Sequence, residues 1–364
     1  MAYADNRFDT RRRALASDLA AQRIDALLVT NLIHVRYLTG FSGSNAALLV
    51  GKDRTAVIAT DGRYTTQIRE EVPEVEAIIA RPSAEAVLRE GGRYDRIGFE
   101  SEHVTVAQFE ALRAVCPEDS TLVPLAGAVE RLRLIKGDYE IDALADVAAL
   151  ATQAMIGLLD EGELAVGRRE FEVAADLEYR MRALGAERPS FDTIVASGPN
   201  SAKPHHGAGD RVIQDEDLVT IDFGAHRGGF NSDMTRTFVV GRANSTAQSV
   251  YATVLQAQRA GIEAARPGTA LVEVDKVCRD IITEAGYGKN FVHSTGHGIG
   301  LEVHEAPSAS TSGEGVLKPG MTLTIEPGIY VPGRGGVRIE DTLVITEGAP
   351  RVITSGISTD LTVV

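Results

Sequence analysis

The sequence predicts an α+β protein of two domains, on the basis of its length, its hydropathy pattern and an internal repeat. A chain of 364 residues is longer than one typical domain. Short apolar runs alternate with helical segments in the first third, whereas long helices and a repeated pair of β-runs follow. We therefore expect domains at 1–132 and 133–364. The first is of α/β type, and the second is a duplicated αβ unit with pseudo-twofold symmetry.

The N-terminal domain is expected to contain an opening helix and five β-strands. The apolar runs that predict strands lie at 25–30, 45–51, 54–60, 75–80 and 96–100. Helical spacing of apolar residues predicts a further helix at 106–115. Because this domain has neither a phosphate-binding loop nor a nucleophile elbow, we expect it to be a scaffold or a lid.

The C-terminal domain is expected to begin with a long helix, in which apolar residues recur at helical spacing from Ile141 onward. Further helices are predicted at 168–184, 246–265 and 272–286, and glycines end the first and the third of these.

Composition and charge exclude several classes of protein. The chain is 44% hydrophobic and 24% charged, as is usual for a globular protein with a sizeable core. Its net charge of −14 repels phosphate backbones, so nucleic acid is not an expected partner. No run reaches the about 18 apolar residues of a membrane span, and no apolar signal region follows the N-terminus. The two isolated cysteines exclude a disulfide framework, and we expect a cytoplasmic location.

The internal repeat lies in the C-terminal domain, at 217–240 and 321–345. Each copy opens with a β-run that ends in isoleucine and a carboxylate, Asp222 in the first copy and Glu326 in the second. Each copy reads as two β-runs joined through a turn that contains glycine.

A second carboxylate follows at a fixed distance in each copy of the repeat. Gly-Gly pairs at 228–229 and 335–336 are expected to form the turns, and Asp233 and Glu340 lie four residues beyond them. Pseudo-twofold symmetry would bring the four acidic side chains of the two copies together at its axis.

Four adjacent carboxylates predict a metal centre. Like charges so close cannot all ionise without partners, and two divalent cations would balance their charge of −4. The simpler alternative is that these acids are exposed turn residues. Against it, each lies in or follows an apolar β-run, where an unpaired carboxylate is costly.

Histidine provides a ligand of another type. Six of the eight histidines lie between 205 and 304, and His297 stands between two glycines in the segment 291–305. That segment has neither dinucleotide-binding nor zincin spacing. One imidazole with four carboxylates favours Mn²⁺, Co²⁺, Zn²⁺ or Fe²⁺ over metals selected by thiolates. Two such ions activate water for attack on a carbonyl or a phosphoryl group, and the residues alone leave both open.

Five ordered motifs resemble those of the Xaa-Pro peptidases, the prolidase and aminopeptidase P branch of the pita-bread metallopeptidases. They are IDFG (221–224), NSDMTRT (231–237), HSTGHGIGLEVHE (293–305), TIEPGIY (324–330) and VRIEDT (337–342). SGPNSAKPHHG (197–207) and YLTGFSGSNAALLV (37–50) fit the same branch. The resemblance covers nearly the whole chain and implies a creatinase-like N-terminal α/β domain followed by a pita-bread catalytic domain.

The resemblance implies five metal ligands, which are Asp222, Asp233, His297, Glu326 and Glu340. Asp233 and Glu340 would bridge two divalent ions. Asp222 would complete one ion, and His297 with Glu326 would complete the other. Mn²⁺ is the ion we expect, with Co²⁺ or Zn²⁺ as alternatives.

The resemblance also implies roles around the metals. Glu326 would act as general base or proton shuttle, and His205 would assist at the leaving group or the N-terminal residue. His304 would hydrogen-bond the scissile carbonyl or the oxyanion, while His293 and Arg338 would line the substrate pocket.

Two further points of the resemblance concern neighbouring residues. His205 is preferred to His206 because it directly follows Pro204. Thr235 and Asp341 are expected to support the metal ligands.

The activity that the resemblance implies is metal-dependent hydrolysis of the peptide bond preceding proline. The substrates would be dipeptides or short peptides with proline at the second position, and the enzyme would be a homodimer whose N-terminal domain helps to wall an active site. Dipeptidase and aminopeptidase both stay open, although the short chain favours a prolidase.

The alternatives are a methionine aminopeptidase-like or other pita-bread hydrolase, and a non-catalytic peptide-binding relative. The N-terminal domain argues against the methionine aminopeptidases. The complete ligand set argues against a relative that has lost catalysis.

Overall fold

The protein is described by a computed structural model that covers residues 6–364. The chain divides into two compact units, with the boundary between Arg133 and Leu134, one residue beyond the predicted one. An apolar cluster forms a core in the first unit, and two such clusters form the core of the second.

The N-terminal unit contains a six-stranded sheet in the order β4-β3-β2-β1-β5-β6. Its strands are β1 (Ala26–Val29), β2 (Ala46–Gly51), β3 (Ala56–Thr60), β4 (Glu76–Ile79), β5 (Arg96–Glu100) and β6 (Thr121–Leu125). β1 pairs with β2 and β2 with β3 in antiparallel fashion, whereas the other neighbours are parallel. The first five strands lie at the predicted runs. β6 was not predicted, because it is a half-exposed edge strand that contains a proline and therefore shows no clear apolar run.

Six helices accompany this sheet. They are α1 (Arg7–Ala21), α2 (Leu32–Thr39), α3 (Thr65–Glu71), α4 (Ser83–Arg89), α5 (Val106–Val115) and α6 (Glu130–Arg133). The opening helix and α5 are present where they were predicted, and α5 begins with a capping box between Thr105 and Gln108. The shorter helices carry too few turns for their periodicity to be read from the sequence.

A buried polar network fixes α2 to β5 in this unit. His34 Nδ1 donates to Glu100 Oε1 at 2.5 Å, while Arg133 donates to His34 Nε2 at 2.8 Å. The backbone N–H groups of Thr30 and Asn31 donate to the other oxygen of Glu100. The buried charges are thus paired and hydrogen-bonded, as burial requires.

The C-terminal unit contains two pairs of long helices. They are α7 (Asp138–Asp160), α8 (Glu170–Ala183), α9 (Ser245–Ala264) and α10 (Leu271–Glu284), which lie where four helices were predicted. α7 packs against α8 and α9 packs against α10. α7 is long and apolar enough to span a membrane, but half of its most apolar stretch is buried inside the protein, as in a core helix.

The strands of the C-terminal unit are short and form several small sheets. They are β7 (Arg188–Pro189), β8 (Ile194–Ser197), β9 (Leu218–Phe223), β10 (Ala225–Arg227), β11 (Phe230–Asn231), β12 (Met234–Val239), β13 (Gly296–Gly298), β14 (Glu305–Ala309), β15 (Thr322–Ile325), β16 (Gly328–Val331), β17 (Gly335–Arg338), β18 (Asp341–Val344), β19 (Arg351–Val352) and β20 (Thr362–Val363). Short 3₁₀ turns lie between some of these elements, including one at Gly198–Ala202.

The predicted duplication is present. Each repeat begins with a helix pair and continues into an antiparallel outer pair of strands, β9 with β12 or β15 with β18. Each outer pair encloses an inner hairpin, β10 with β11 or β16 with β17. The α+β fold with a duplicated second domain is therefore confirmed.

One detail of the repeat was predicted wrongly. Gly228 and Gly229 form the first turn and have positive φ angles of 63° and 91°. Gly335 and Gly336, however, lie in β17, and the second turn precedes them at 332–334. A Cβ on Gly336 would lie 2.3 Å from the carbonyl oxygen of Ser201, so glycine is needed there for close approach of two backbones.

Polar side chains of β12 bind the first repeat to the second. Thr237 Oγ1 donates to the carbonyl of Arg338 at 2.9 Å, and the amide of Glu340 donates to the carbonyl of Thr235 at 3.1 Å. Between the two threonines, Arg236 has only 2% of its surface exposed, and it donates to Asp341 and to the carbonyl of Glu340. A buried guanidinium thus ties β12 to the strand ends of the second repeat.

Replacing Arg236 should therefore destabilise the C-terminal unit strongly. Arg236→Leu leaves Asp341 buried without its cation, and we expect a loss of about 3–5 kcal/mol in the free energy of unfolding. Equilibrium urea denaturation measures this loss.

The matched control is Arg242→Leu, because Arg242 forms ion pairs with Asp215 and Glu216 but is 77% exposed. Its loss should stay below about 1 kcal/mol. Equal losses in the two variants would contradict the structural role of Arg236.

Candidate metal centre

The five predicted ligands lie in or directly beside strands that meet between the two repeats. Asp222 belongs to β9, Asp233 precedes β12 and His297 is the middle residue of β13. Glu326 directly follows β15, and Glu340 lies between β17 and β18. Residues up to 118 positions apart in the chain (222 to 340) are thus gathered in one place.

The ligand atoms fall into two overlapping triads. Within each triad, one ligand atom per residue lies within 4.8 Å of the others. One triad is Asp222, Asp233 and Glu340, and the other is His297, Glu326 and Glu340. This arrangement offers two adjacent cation positions that share Glu340.

A third triad involves a histidine that was predicted to contact substrate. Asp233, His297 and His304 also have ligand atoms within 4.8 Å of one another, and the ring centroids of the two histidines lie 4.3 Å apart, edge to face. His304 is thus adjacent to the ligand set.

Two buried carboxylate oxygens show that the site fits a cation. Asp222 Oδ2 accepts from Arg338 at 2.8 Å and Glu340 Oε2 accepts from Thr235 at 2.7 Å. The other oxygen of each group, Asp222 Oδ1 and Glu340 Oε1, is buried without a hydrogen-bond partner among the described residues. An oxygen anchored by the protein beside an unsatisfied one is the usual arrangement of a metal-ligating carboxylate.

The electrostatics of the carboxylates lead to the same conclusion. Burial and the charge of Glu326 raise the pKa of Asp222, against the pull of Arg338. Burial and neighbouring carboxylates also raise the pKa values of Asp233 and Glu340 well above their usual range. A cation would relieve this repulsion and favour the ionised forms.

Glu326 differs from the other three acids because it faces a histidine. His297 Nε2 lies 3.3 Å from Glu326 Oε1, and Thr324 donates to the same oxygen at 3.1 Å. Although burial opposes ionisation, His297 lowers the pKa of Glu326 to about 2. Glu326 is therefore ionised in the protein at neutral pH.

All nine predicted site residues line one cavity of about 650 Å³. They are His205, Asp222, Asp233, His293, His297, His304, Glu326, Arg338 and Glu340. Burial lowers the pKa values of His293 and His304, which favours their neutral forms. Phe191, Ile194 and Val303 add an apolar surface that nothing in the sequence had indicated.

The glycines beside His297 serve the fold rather than a bound group. A Cβ on Gly296 would lie 1.7 Å from the carbonyl of Thr324, and one on Gly298 would lie 2.1 Å from that of Ala306. The close approach at each of these two glycines is thus between strands.

Arg338 lines the cavity, but its guanidinium is bonded within the protein at all three nitrogens. Besides Asp222, it donates to Thr235 Oγ1 at 3.0 Å and to the hydroxyl of Tyr330 at 2.8 Å. Its side chain is only 4% exposed. In this structure, therefore, Arg338 orients the carboxylate of Asp222 and partly balances the negative charge.

Tyr330, which ends the motif TIEPGIY, bonds to two residues of the cavity and was not among the predicted site residues. Its hydroxyl lies 2.8 Å from His293 Nε2, and His293 Nδ1 lies 2.8 Å from the carbonyl of Ser294. Because Arg338 donates to this hydroxyl, the hydroxyl proton points to His293. The chain of bonds thus makes Nε2 of His293 an acceptor.

The structure distinguishes His205 from His206. His206 Nε2 is bonded to Glu170 at 2.7 Å, whereas the exposed imidazole of His205 forms no hydrogen bond with any described residue. Of the two, His205 is the one available to a molecule in the cavity.

Thr235 and Asp341 are the predicted supports. Thr235 donates to the carboxylate of Glu340, whereas Asp341 binds Arg236, which donates to the carbonyl of Glu340.

Family models match both units. Residues 141–347 match metallopeptidase family M24, and residues 11–135 match the creatinase/prolidase N-terminal domain. Together these matches cover nearly all of the chain.

Named relatives agree with these matches. The chain is 39% identical to an Xaa-Pro dipeptidase of Pyrococcus furiosus, over 91% of this chain and 93% of that protein. The structure of an Xaa-Pro dipeptidase from Bacillus anthracis has a TM-score of 0.93 and 39% identity, covering 98% of this chain and 100% of that one. An X-Pro aminopeptidase from Thermotoga maritima has a TM-score of 0.88 and 33% identity, with coverages of 97% and 99%.

The carboxylate-rich site between two repeats and the matches along both units lead to one conclusion. The chain belongs to metallopeptidase family M24 and carries the creatinase/prolidase N-terminal domain.

Proposed function

We propose that this protein is an Xaa-Pro dipeptidase, which hydrolyses the peptide bond preceding proline in short substrates. The observation that carries the proposal is the pair of overlapping ligand triads in a cavity lined by further histidines. The likeness to named Xaa-Pro dipeptidases supports this substrate class.

The metal ligands proposed are Asp222, Asp233, His297, Glu326 and Glu340, holding two divalent cations. Oxygen-rich ligand sets with one imidazole suit Mn²⁺, and Co²⁺ or Zn²⁺ are the alternatives. Such ions, when bound, polarise a carbonyl oxygen and lower the pKa of water.

The surrounding side chains supply proton transfer and orientation. Glu326, which faces His297 inside the cavity, takes the proton from an attacking water. His304, beside His297, donates a hydrogen bond to the oxygen of the scissile carbonyl as negative charge develops there. His205, which has no hydrogen-bond partner among the described residues, contacts the substrate near the leaving group.

The apolar part of the cavity suits the proline ring. An Xaa-Pro bond has no N–H on its proline side, so the site must recognise the ring by shape and apolar contact. Phe191, Ile194 and Val303 line the cavity together with the histidines and provide such a surface.

Cleavage of longer peptides is the second candidate function, and the likeness to an X-Pro aminopeptidase favours it.

We also propose a homodimer located in the cytoplasm, on the basis of the family resemblance and the acidic, cysteine-poor composition. A monomeric mass in light scattering at full activity would contradict the dimer.

A substrate panel tests the proposed function. Protein stripped of metal and resupplied with Mn²⁺ should cleave an Xaa-Pro dipeptide, which is measured by release of proline. Additional cleavage of an Xaa-Pro-Xaa tripeptide would favour the aminopeptidase. Cleavage only of a Met-Ala-Xaa peptide, or of none of the three, would overturn the proposal.

Metal binding tests the ligand assignment without relying on activity. Asp233→Ala should abolish Mn²⁺ binding at the position formed with Asp222 and Glu340. Thr235→Val should weaken Mn²⁺ binding about 10–100-fold, because Thr235 orients Glu340. Equilibrium dialysis against Mn²⁺ measures both effects. Thr253→Val, which removes an exposed helical hydroxyl, should bind metal like the wild type.

The role of His304 is tested by kinetics. His304→Ala should lower kcat by about 10²–10³-fold, as expected for loss of one donor to the developing oxyanion. The metal content of the variant should stay unchanged. An unchanged kcat would reject this role, and loss of metal would instead make His304 a ligand.

A further inference from the structure

One buried carboxylate in the C-terminal unit lies outside the metal centre. Glu170 is the first residue of α8, and it is 0% exposed. Among the described residues, no lysine or arginine bonds to it. A buried charge of this kind is costly unless hydrogen bonds replace its water.

Five donors surround this carboxylate. Oε1 accepts from the amide of Ser197 at 2.8 Å, from its hydroxyl at 2.7 Å and from the Asn200 side chain at 3.0 Å. Oε2 accepts from His206 Nε2 at 2.7 Å and from the amide of Gly209 at 3.2 Å. Although burial opposes ionisation, the hydrogen bonds from Ser197 and His206 keep the pKa of Glu170 below its usual value.

All five donors belong to one segment of the chain. Ser197 ends β8 and Gly209 closes the loop that follows, so a single carboxylate holds both ends of 197–209. His205 lies inside this segment, next to the bonded His206, and it lines the cavity. No regular element covers residues 203–209. Besides the bonds to Glu170, the amide of Phe171 donates to the carbonyl of Gly209 and Arg338 donates to that of Pro204, so a few individual contacts define the course of this stretch.

We propose that Glu170 is a positioning residue that fixes the segment 197–209 and thereby sets the place of His205 in the cavity. The inference rests on the proposed function, because it assigns His205 to the substrate. Glu170 itself touches neither substrate nor metal. It acts through the loop, and His206 is one of the loop residues that Glu170 holds.

The first test replaces the carboxylate by its amide. Glu170→Gln turns one acceptor into a donor that faces the N–H groups of His206 and Gly209, so the loop should loosen. We expect kcat/KM for an Xaa-Pro dipeptide to fall about 10–100-fold, since a displacement of about 1 Å costs up to 100-fold. Mn²⁺ binding should stay within twofold of the wild type.

The matched control is Glu172→Gln in the same turn of α8. It removes the same charge from the helix start, but Glu172 bonds to the amide of Arg169 and not to the loop. Its kcat/KM should stay within twofold of the wild type. An equal loss in both variants would mean that helix charge, not loop position, is responsible.

A double-mutant cycle separates positioning from general damage. If Glu170 acts through His205, then Glu170→Gln should have almost no further effect on kcat/KM in a His205→Ala background. If the fold losses in kcat/KM of the two single variants multiply in the double variant, the proposal is overturned.

Hydrogen exchange provides a readout that needs no activity. In Glu170→Gln, exchange across 197–209 should be at least tenfold faster, while β9 and β12 should keep wild-type protection. Unchanged exchange in the loop would overturn the proposal. If wild-type protein cleaves no Xaa-Pro peptide while the loop still loosens, only the proposed substrate fails.

Should Glu170→Gln not fold, Asn200→Ala and His206→Ala each remove one donor and leave the carboxylate in place. Each should produce a smaller effect in the same direction on both loop exchange and kcat/KM. Wild-type values in both variants would contradict the role of the loop contacts.

Discussion

Four carboxylates of like charge meet between the two repeats of the C-terminal unit, and much of the surrounding structure compensates for that repulsion. Arg338 faces Asp222, Thr235 donates to Glu340 and His297 faces Glu326. Even so, two buried carboxylate oxygens keep no partner, and burial and neighbouring charge raise the pKa of three of the four acids. A site so constructed is complete only when cations occupy it.

The contact between the two repeats also explains why β12 is so polar. Its threonines and Arg236 bond to backbone groups and side chains of the second repeat, so the strand that follows Asp233 also holds Glu340 in place. The contacts that join the repeats therefore also set the distance between Asp233 and Glu340, two of the proposed ligands. Folding of the unit and assembly of the metal centre are for this reason hard to separate.

The sequence revealed those parts of the site that the duplication repeats. Asp222 and Glu326 follow similar β-runs, and similar spacing leads to Asp233 and Glu340, so pattern alone located the carboxylates. Tyr330 and Glu170 could not be found in this way, since each acts through partners tens of residues away. The turn expected at 335–336 was wrong for a related reason, because only the fold shows that Gly336 meets the backbone of Ser201.

The duplication supplies equivalent carboxylates, but their neighbours differ, and this difference gives the site a direction. Asp222 is paired with an arginine that is bonded on all sides, while its equivalent Glu326 faces His297 inside the cavity. The pKa of Asp222 is raised, whereas that of Glu326 is lowered to about 2. The second repeat thus holds an ionised carboxylate beside the histidines of 293–304. A symmetric scaffold carries an asymmetric site because the side chains around its carboxylates differ, and because the first repeat supplies aspartates where the second supplies glutamates.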